Sequence, residues 1–461
     1  MNKKEAKLSP SQEKKKIKKS LKYSIYDGAA NGLSDGSGVS YISPFAIALK
    51  SSDNQIALLS SVPSLIAPLF QLLDTKAIQK LKSRKKIVLF SALMQGVMWI
   101  PIILIPFLFL KNGPVILIIT FSIFAVFGSF LGPVWASWMG DLVSEKKRGR
   151  FFGNRSKIAG LVSLIASLIA GFFLDIFPKN EVFVGFAILF IIALFARLTS
   201  IFFLSKKYEP KFEIEEKYQF SIFQFVKKMP HNNFGKFTIY TTIMMFAVFV
   251  ASPFFSVYML KELNLNYTTY TIVQVASSIA SLVALPLWGK FADKYGNIPV
   301  TKICGLLVPV VPILWLFSSN TIYLLVIQVY SGIVWAGFNL STSNFVYDST
   351  TPQRRTSCLA YLNVLNGIGI FVGSTVGGLL ATHLDIKSVS VYLVIFLISA
   401  ILRIASSVFM LPKLREVRVI PRKPILHLTG QTINRGFSHH IVGWNRIDSK
   451  IMTKKKLKKF K

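Results

Sequence analysis

The chain has 461 residues, of which 52% are hydrophobic and 13% aromatic, and its formal net charge at pH 7 is +34. This hydrophobic share exceeds that of an ordinary soluble domain and indicates an integral membrane protein. The charge alone would also fit a nucleic-acid-binding protein, but the cations are concentrated in one set of loops, which argues against that class.

Twelve segments are long and apolar enough to cross the hydrocarbon core of a bilayer, which takes about 17 to 25 helical residues. They predict an all-α polytopic membrane protein with twelve transmembrane helices. The predicted spans are residues 24–48, 53–75, 86–110, 114–139, 157–177, 182–204, 236–260, 267–290, 299–318, 321–347, 357–382 and 388–411.

The loops between these spans divide the positive charge unequally. Segments on one side hold 47 of the 54 Lys and Arg residues, whereas loops on the other side hold only five. Basic loops face the cytoplasm, so we expect a multi-pass protein of the plasma membrane with both termini in the cytoplasm. The basic tails are expected to lie on anionic lipids of the inner leaflet, and no specific nucleic-acid partner is expected.

The first predicted span is the least apolar and carries an ordered polar pattern. Asp27, Asn31 and Asp35 recur every four residues and therefore share one helical face. A carboxylate inside a membrane is costly and is by default a functional hypothesis. Asp35 is the candidate for coupling to protons or for contacting a substrate, with a structural hydrogen bond as the alternative. Asp27 is expected to pair with a loop cation, with a substrate role as the alternative.

Two stripes of glycines predict close helix packing, because small residues four apart let a neighbouring backbone approach. The first lies beside the polar pattern of the first span and the second lies in the eleventh. Their members are Gly28, Gly32 and Gly36, and Gly369, Gly373 and Gly377.

Charged residues of the first half recur in the second half at nearly one spacing. Three recur 207 residues later and one recurs 206 residues later. The repeat predicts two copies of a six-helix unit, in parallel orientation because six spans return the chain to the same side. The recurring pairs are Asp141 with Asp348, Arg148 with Arg355, Glu209 with Glu416, and Arg197 with Arg403.

The longest polar interruption between spans lies in the middle of the chain and separates the two copies. It contains the stretch YQFSIFQFVKK, which is typical of a helix lying on the inner leaflet, with a disordered linker as the alternative. The predicted regions are a basic N-terminal tail at 1–22, a six-helix bundle at 23–204, a cytoplasmic linker at 205–235, a second bundle at 236–412 and a basic C-terminal tail at 413–461.

The six-plus-six pattern, the long middle loop and the stretch GKFADKYGN resemble the major facilitator superfamily of secondary transporters. Gly289, Asp293 and Gly296 match the loop signature of that family, although two uncharged residues follow where the family usually has cations. The corresponding loop of the first half keeps only the basic end of the signature. The resemblance covers about residues 22 to 412 and implies a fold of two parallel-repeat six-helix bundles.

The resemblance also implies a central cavity lined by the first, fourth, seventh and tenth helices. Aromatic walls with a few polar groups are typical of small-molecule pockets. The matching residues on these helices, besides those of the first span, are Trp135, Tyr240, Thr241, Gln328, Trp335, Asn339 and Asn344.

The repeated loop charges suggest a cytoplasmic gate. An acid followed six residues later by Arg resembles a pattern in the loops of sugar porters, and partly wet ion pairs are weak enough to break during a conformational change. We expect Asp141, Arg148 and Glu209, with their copies in the second half and the loop signature residues, to tie helix ends together. The alternative is that they only fix helix ends and topology. Arg197 and Arg403 are expected to anchor the sixth helix of each bundle by snorkelling toward the rim, with contact to the substrate as the alternative.

The predicted function is secondary active transport of a small solute by alternating access, with protons as the candidate coupling ion. The alternatives are a uniporter and an efflux transporter for amphiphiles or drugs, although the family's drug antiporters usually have an Arg in the fourth helix and a Gly-Pro pair in the fifth. An enzyme is not expected, because acids and His are not clustered and no nucleotide-binding loop occurs. A transporter-like sensor is the alternative from another class. No cofactor and no metal site are expected, and we expect a monomer.

Overall fold

The computed structural model describes residues 9–73, 81–109, 111–144, 147–178, 180–210, 221–384 and 389–418. These residues form helices and connecting loops with no strand among them, which confirms the all-α prediction. Parts of the predicted N-terminal tail (1–8), linker (211–220) and C-terminal tail (419–461) lie outside the described residues.

The helices follow the order of the predicted spans. They are α1 (Pro10–Ser37), α2 (Asp53–Gln71), α3 (Arg84–Leu108), α4 (Gly113–Leu142), α5 (Arg148–Leu174), α6 (Val182–Ser205), α7 (Asn233–Glu262), α8 (Tyr267–Tyr295), α9 (Asn297–Leu314), α10 (Thr321–Ser349), α11 (Pro352–His383) and α12 (Val391–Met410). Ten of them, α3 to α12, are long and apolar enough to cross a membrane. Because α1 and α2 are more polar, the total of twelve spans stays a prediction.

Helix α1 both begins and ends earlier than the predicted span at 24–48, because it ends at Ser37 and is followed by a 3₁₀ turn (Val39–Tyr41) and a short helix (Ile42–Ala48). It begins at Pro10, where Ser9 and Gln12 form a reciprocal capping box, so much of the predicted tail is helical. The extension is fixed at Ser20, whose hydroxyl accepts a hydrogen bond from the backbone N–H of Tyr208 at 2.8 Å. Lysine is a good helix former, which is why this basic stretch continues the helix instead of ending it.

Helix α9 is broken near its middle, and α12 donates hydrogen bonds to it there. Two prolines lie four residues after Gly305 and Val308, so neither carbonyl has the usual N–H donor four residues on, although the Val308 carbonyl accepts from the Val311 backbone N–H at 3.3 Å. Ser407 donates to the Gly305 carbonyl at 2.6 Å, and Arg403 donates to the Val308 carbonyl at 3.4 Å. The sixth helix of the second half is thereby bonded to the broken segment.

Helices pack tightly within each half of the chain. In the first half α1 packs on α5 and α6, and a Cβ added at Gly32 would collide with the backbone carbonyl of Ala159 on α5. In the second half α11 packs on α7, and a Cβ at Gly373 would collide with the carbonyl of Phe246. The two halves meet where α2 packs on α11 and where α5 packs on α8.

Polar contacts between the halves are concentrated away from the side where the described chain begins and ends. We call the side of the chain ends the basic face. At the opposite face Asp53 of the first half binds Lys261 at 3.2 Å and accepts a hydrogen bond from Tyr392 at 3.0 Å. Nearby, Asp175 accepts hydrogen bonds from the backbone N–H groups of Tyr267 and Thr268 at 2.8 Å each.

One face of α5 shows where the halves touch and where they separate. Gly149, Gly153, Gly160 and Gly171 lie on this face at spacings of four, seven and eleven residues. A Cβ at Gly171 would come within 2.8 Å of the Thr271 hydroxyl of α8, whereas a Cβ at each of the other three meets nothing within 4 Å. The halves are therefore in contact at the opposite face and apart toward the basic face.

A cysteine placed at Gly153 should react with a membrane-impermeant maleimide from the basic face about tenfold faster than one at Ala170 of the same helix, because thiol reactivity requires exposure. Ala170 is 1% exposed and Gly153 is exposed. The measurement is the labelling rate in vesicles of each orientation. The unmodified chain is the background control, because Cys304 and Cys358 are buried. Equal rates at the two positions would contradict the opening toward the basic face.

Candidate functional site

A cavity of about 740 Å³ lies between the two halves. Its walls come from the turn that follows α1 (Val39–Tyr41) and from α5, α7, α8, α9, α10 and α12. Hydroxyl and amide groups dominate its polar side chains, which are Ser40, Tyr41, Ser163, Ser167, Ser252, Ser256, Tyr270, Thr271, Gln274, Ser277, Ser278, Ser281, Gln328, Ser331, Trp335 and Arg403.

The end of the cavity at the opposite face is closed by a tyrosine from the first half. The Tyr41 hydroxyl donates to the Ser167 carbonyl at 2.6 Å and lies 2.8 Å from the Thr271 hydroxyl of the second half. Tyr41 is 1% exposed. A solute in the cavity could leave through this end only if these hydrogen bonds between the halves broke.

Several hydroxyls in the cavity wall have no hydrogen-bond partner within the part of the chain that the structure describes. Most buried hydroxyls bond to their own helix, as Ser167 does to the Leu164 carbonyl. The exceptions are available to a ligand, and they are Ser163, Ser252, Ser277, Ser278 and Ser331. These serines were not among the predicted cavity residues, although the adjacent serines at 277 and 278 interrupt an apolar span and were a usable signal.

Two of the predicted cavity residues line this cavity. Gln328 donates to the Gln274 side-chain carbonyl at 2.7 Å, so the two amides form a pair across α8 and α10. Trp335 lies two turns further along α10 and also lines the cavity. Asn339 is one turn beyond Trp335 and is exposed, so its spacing continues the same face of α10 toward the basic face.

The other predicted cavity residues lie elsewhere. Tyr240 is fully buried in the hydrophobic core of the second half, and the Thr241 hydroxyl donates to the Thr238 carbonyl of its own helix. Helix α7 is rotated so that Ser252 and Ser256, near its far end, reach the cavity instead. Trp135 stacks on the Arg155 guanidinium at 4.2 Å from the ring centre, and Asn344 is half-buried on α10 outside the cavity lining.

The polar pattern of α1 divides into two connected clusters inside the first half. In the cluster nearer the basic face, Asp27 binds Arg155 of α5 and Lys207 at 3.0 Å each. It also accepts a hydrogen bond from the Ser200 hydroxyl at 2.7 Å. Asp27 is 3% exposed, so this carboxylate is held by two cations away from water.

Lys207 is the member of this cluster that sequence reasoning missed. It directly follows an exposed lysine in the loop after α6, and the pattern gives no sign that one of the two is buried. Burial lowers the pKa of Lys207 to about 8, although the neighbouring Asp27 charge opposes that change. Its ammonium also lies 5.9 Å from the ring centre of Trp138, which is buried.

The second cluster contains Asp35. The Asn31 amide donates to Asp35 at 2.8 Å, and Arg197 donates to the side-chain carbonyls of Asn31 and Gln95. The prediction that Arg197 snorkels to the rim is therefore wrong, because its guanidinium is held by amides at mid-helix. These residues border a separate cavity of about 190 Å³ inside the first half.

The predicted gate residues brace helix ends within each half. Glu209 accepts hydrogen bonds from the Arg84 backbone N–H at 2.6 Å and from the Ser83 hydroxyl at 2.7 Å, at the start of α3. Its copy Glu416 accepts from the Ile298 backbone N–H at 2.8 Å, at the start of α9. Carboxylates are favourable at helix N-termini because unpaired N–H groups and the helix dipole converge there.

The acids at the ends of α4 and α10 also have equivalent surroundings. Asp141 binds Arg84 at 2.7 Å, and Asp348 binds Arg418 at 2.8 Å and the Asn297 amide at 2.6 Å. Each acid thus connects the end of its helix to the start of the preceding helix in its own half, and Asp348 also binds the segment after α12.

The two repeated arginines bond to backbone carbonyls. Arg148 donates to the Gly140 carbonyl at 2.8 Å, at the C-terminal end of α4, and Arg355 donates to the Tyr347 carbonyl at 3.2 Å, at the end of α10. The contacts of these two arginines with their own helix ends are also equivalent in the two halves. No ion pair between the halves is found among the gate residues within the described chain.

The loop signature residues lie at the end of α8. Gly296 has a φ of 97°, a backbone conformation that favours glycine, and it ends α8 immediately before α9 begins. Asp293 is mostly exposed and lies 3.8 Å from Arg418. A Cβ at Gly289 would have only ordinary contact with Leu340. No group of three or more His, Cys, Asp or Glu residues able to hold a metal ion occurs among the described residues.

Comparison with known proteins identifies similar chains. The family model of the Major Facilitator Superfamily matches residues 28–251 and 237–451. The tetracycline resistance protein, class H, of Pasteurella multocida is 26% identical over 182 residues. That match covers 38% of this chain and 44% of the relative, so the chain spans less than half the length of this curated relative.

Two solved structures show the same fold at low sequence identity. The D-xylose-proton symporter has a TM-score of 0.66 and is 13% identical, with 87% of this chain and 98% of the symporter covered. A mutant of the nucleoside transporter NupG also has a TM-score of 0.66, with 15% identity over 87% of this chain and all of NupG.

Substitution of Asp27 by Asn should lower the free energy of unfolding by about 3 to 5 kcal/mol, because Lys207 would remain as a buried cation and Arg155 as a partly buried one without their anion. The measurement is the melting temperature of the purified protein. Asp293→Asn is the matched control, because an exposed pair contributes only about 0 to 1 kcal/mol. If Asp27→Asn cost no more than the control, the cluster would not stabilise the fold.

Proposed function

This chain belongs to the major facilitator superfamily, and we propose that it moves a small solute across the plasma membrane by secondary active transport. The observation that carries the proposal is the cavity between the halves. It is closed by Tyr41 and Thr271 at one end, while the cavity face of α5 is unobstructed toward the basic face. A site that opens to one side while contacts close the other is what alternating access requires.

The distribution of helix contacts supports a movement of the two halves relative to each other. Each half is tightly packed, whereas the halves meet through α2 with α11 and α5 with α8. Separation of the contacts of Asp53, Asp175 and Tyr41, together with closure near the basic face, would expose the cavity to the other side. One chain contains the entire cavity, which supports a functional monomer.

The orientation follows from the distribution of charge. Among the described residues, the basic face carries most of the Lys and Arg residues, and the positive-inside rule assigns it to the cytoplasm. With that orientation the structure corresponds to an inward-open state. Anionic lipids of the inner leaflet would lie next to the lysines of the α1 extension.

We propose protons as the coupling ion, with Asp35 as their binding site. Asp35 is a membrane-embedded carboxylate beside Asn31 and Arg197, and it borders the small cavity of the first half. Since Arg197 also contacts Gln95, a proton on Asp35 would alter the charge balance of a cluster shared by α1, α3 and α6. The short turn that follows α1 reaches the main cavity at Ser40 and Tyr41, so α1 and this turn connect the two sites.

A second candidate function is efflux of amphiphilic compounds. It is favoured by the tetracycline resistance protein among the relatives. It is opposed by the sequence of α4, which contains no Lys or Arg, and that of α5, which contains no Pro. The direction of flux in liposomes of known orientation distinguishes this candidate from uptake.

Asp35→Asn should abolish accumulation of the solute against its gradient while downhill movement continues, because the amide cannot bind and release a proton. The measurement is solute flux into proteoliposomes with and without a pH gradient, after a melting-temperature screen of sugars, nucleosides, amino acids and amphiphiles has found a ligand. Glu181→Gln, a change of an exposed acid, is the matched control. Continued accumulation by Asp35→Asn would refute the coupling role.

The gate residues give a separate prediction. Arg148→Gln combined with Arg355→Gln should change turnover more than protein abundance, because both arginines bond to helix ends beside the opening. Weak interactions of this kind would bias the orientation of the halves without determining the fold. The measurements are flux per molecule and the amount of protein in the membrane, with Lys290→Gln as the exposed control. An unchanged turnover would count against the gate.

A further inference from the structure

We infer that the solute is a small hydroxylated organic anion and that Arg403 recognises its negative charge. This inference rests on the proposed function and names the substrate class of the same cavity. It combines a buried cation without a nearby carboxylate with a wall of available hydroxyls.

Arg403 is the one charged residue among the described residues that line the main cavity. It is 2% exposed. Its guanidinium donates to the Ser399 hydroxyl at 3.0 Å and to the carbonyls of Val248 and Val308 at 3.3 and 3.4 Å. A guanidinium has five N–H donors, so two remain without a partner within the described chain, one on each terminal nitrogen.

The repeat provides an internal comparison. Arg197 is the copy of Arg403 in the first half, and the carboxylates of Asp27 and Asp35 offset its charge. No carboxylate of the described residues acts on Arg403 in the same way. The two halves thus bury equivalent arginines, but only the first half supplies anions for its arginine.

The neutral partners of Arg403 explain its position but not its charge. The carbonyls of Val248 and Val308 also accept backbone N–H groups of their own helices, and a neutral amide could donate to these carbonyls as well as a guanidinium does. A buried charge without a counter-ion is strongly unfavourable. An oxyanion in the cavity would offset this charge and could accept the two remaining N–H groups, forming charge-assisted hydrogen bonds.

The rest of the cavity fits a polar body attached to that anion. Ser252, Ser277, Ser278 and Ser331 present hydroxyls without partners among the described residues, and the amide pair of Gln274 and Gln328 lies near them in the wall. Hydroxyls and amides bind polyols by exchanging hydrogen bonds with them. The volume of about 740 Å³ lies within the usual range for small-molecule sites.

The test compares three probes with the same carbon skeleton, which are glucose, gluconate and glucose 6-phosphate. Gluconate and glucose 6-phosphate separate a carboxylate from a phosphate as the anion, and binding of either supports the inference. We expect at least one anion to bind the purified wild-type protein about tenfold or more tightly than glucose, since ion pairs in desolvated sites discriminate strongly. Affinity is read from the shift in melting temperature with probe concentration, and flux is measured in proteoliposomes.

Variants assign the preference to one side chain. Arg403→Gln should remove the preference for the anion, Arg403→Lys should retain part of it, and Arg415→Gln, which removes an exposed cation, should leave it unchanged. If Arg403→Gln does not fold, the inference is tested by the anion preference of Arg403→Lys and by the binding of glucose and the two anions to the wild-type protein.

The outcomes separate this inference from the proposed function. Equal binding of glucose and both anions, or transport of uncharged or cationic solutes alone, would overturn the assignment to Arg403 and leave secondary transport in place. A preference for the anion that persists in Arg403→Gln would also overturn it. Failure of every solute of the screen to move in proteoliposomes would refute the proposed transport, and this inference with it.

Discussion

A bilayer offers no hydrogen-bond or charge partners in its core, so a polar group inside this protein is stabilised mainly by partners within the protein. The structure groups many of its polar side chains accordingly. Asp27 lies between Arg155 and Lys207, and Ser407 and Arg403 donate to carbonyls that precede the prolines of α9. The helices that bear these groups are held at fixed distances because no substitute partner is available in lipid.

Much of the fold could be predicted because the requirements of the bilayer determine where apolar and charged residues occur in the sequence. Apolar segments of sufficient length indicate membrane-spanning helices, and cations in alternate loops indicate their direction. Both signals arise from the properties of the bilayer and do not depend on how the helices pack. The repeat of Glu209 at Glu416 indicated equivalent surroundings, and both carboxylates lie at helix N-termini. The start of α1 was placed too late because its first turns are basic but helical, and its end at Ser37 was missed because the apolar pattern continues beyond it.

The candidate site was less predictable, because helix rotation and partner choice are set by packing. Tyr240 and Ser252 lie on the same helix, yet only Ser252 reaches the cavity. The depth of Arg197 could be estimated from helix rise, but its bonds to Asn31 and Gln95 depend on how α3 and α6 face α1. The position of a residue in the sequence indicates its depth in the membrane. Its side-chain contacts depend on how the helices pack in the assembled bundle.

The glycine stripes have a consequence for how this sequence can diverge. At Gly32 and Gly373 a helix rests directly on the backbone of its neighbour, so even one added methyl group would push the two axes apart. No compensating change in the facing side chain could restore the fit, because the obstruction is a main-chain oxygen. Homologues that differ widely at the lipid-facing positions should therefore retain small residues at these glycine positions. Random mutagenesis should find that few substitutions are tolerated at them.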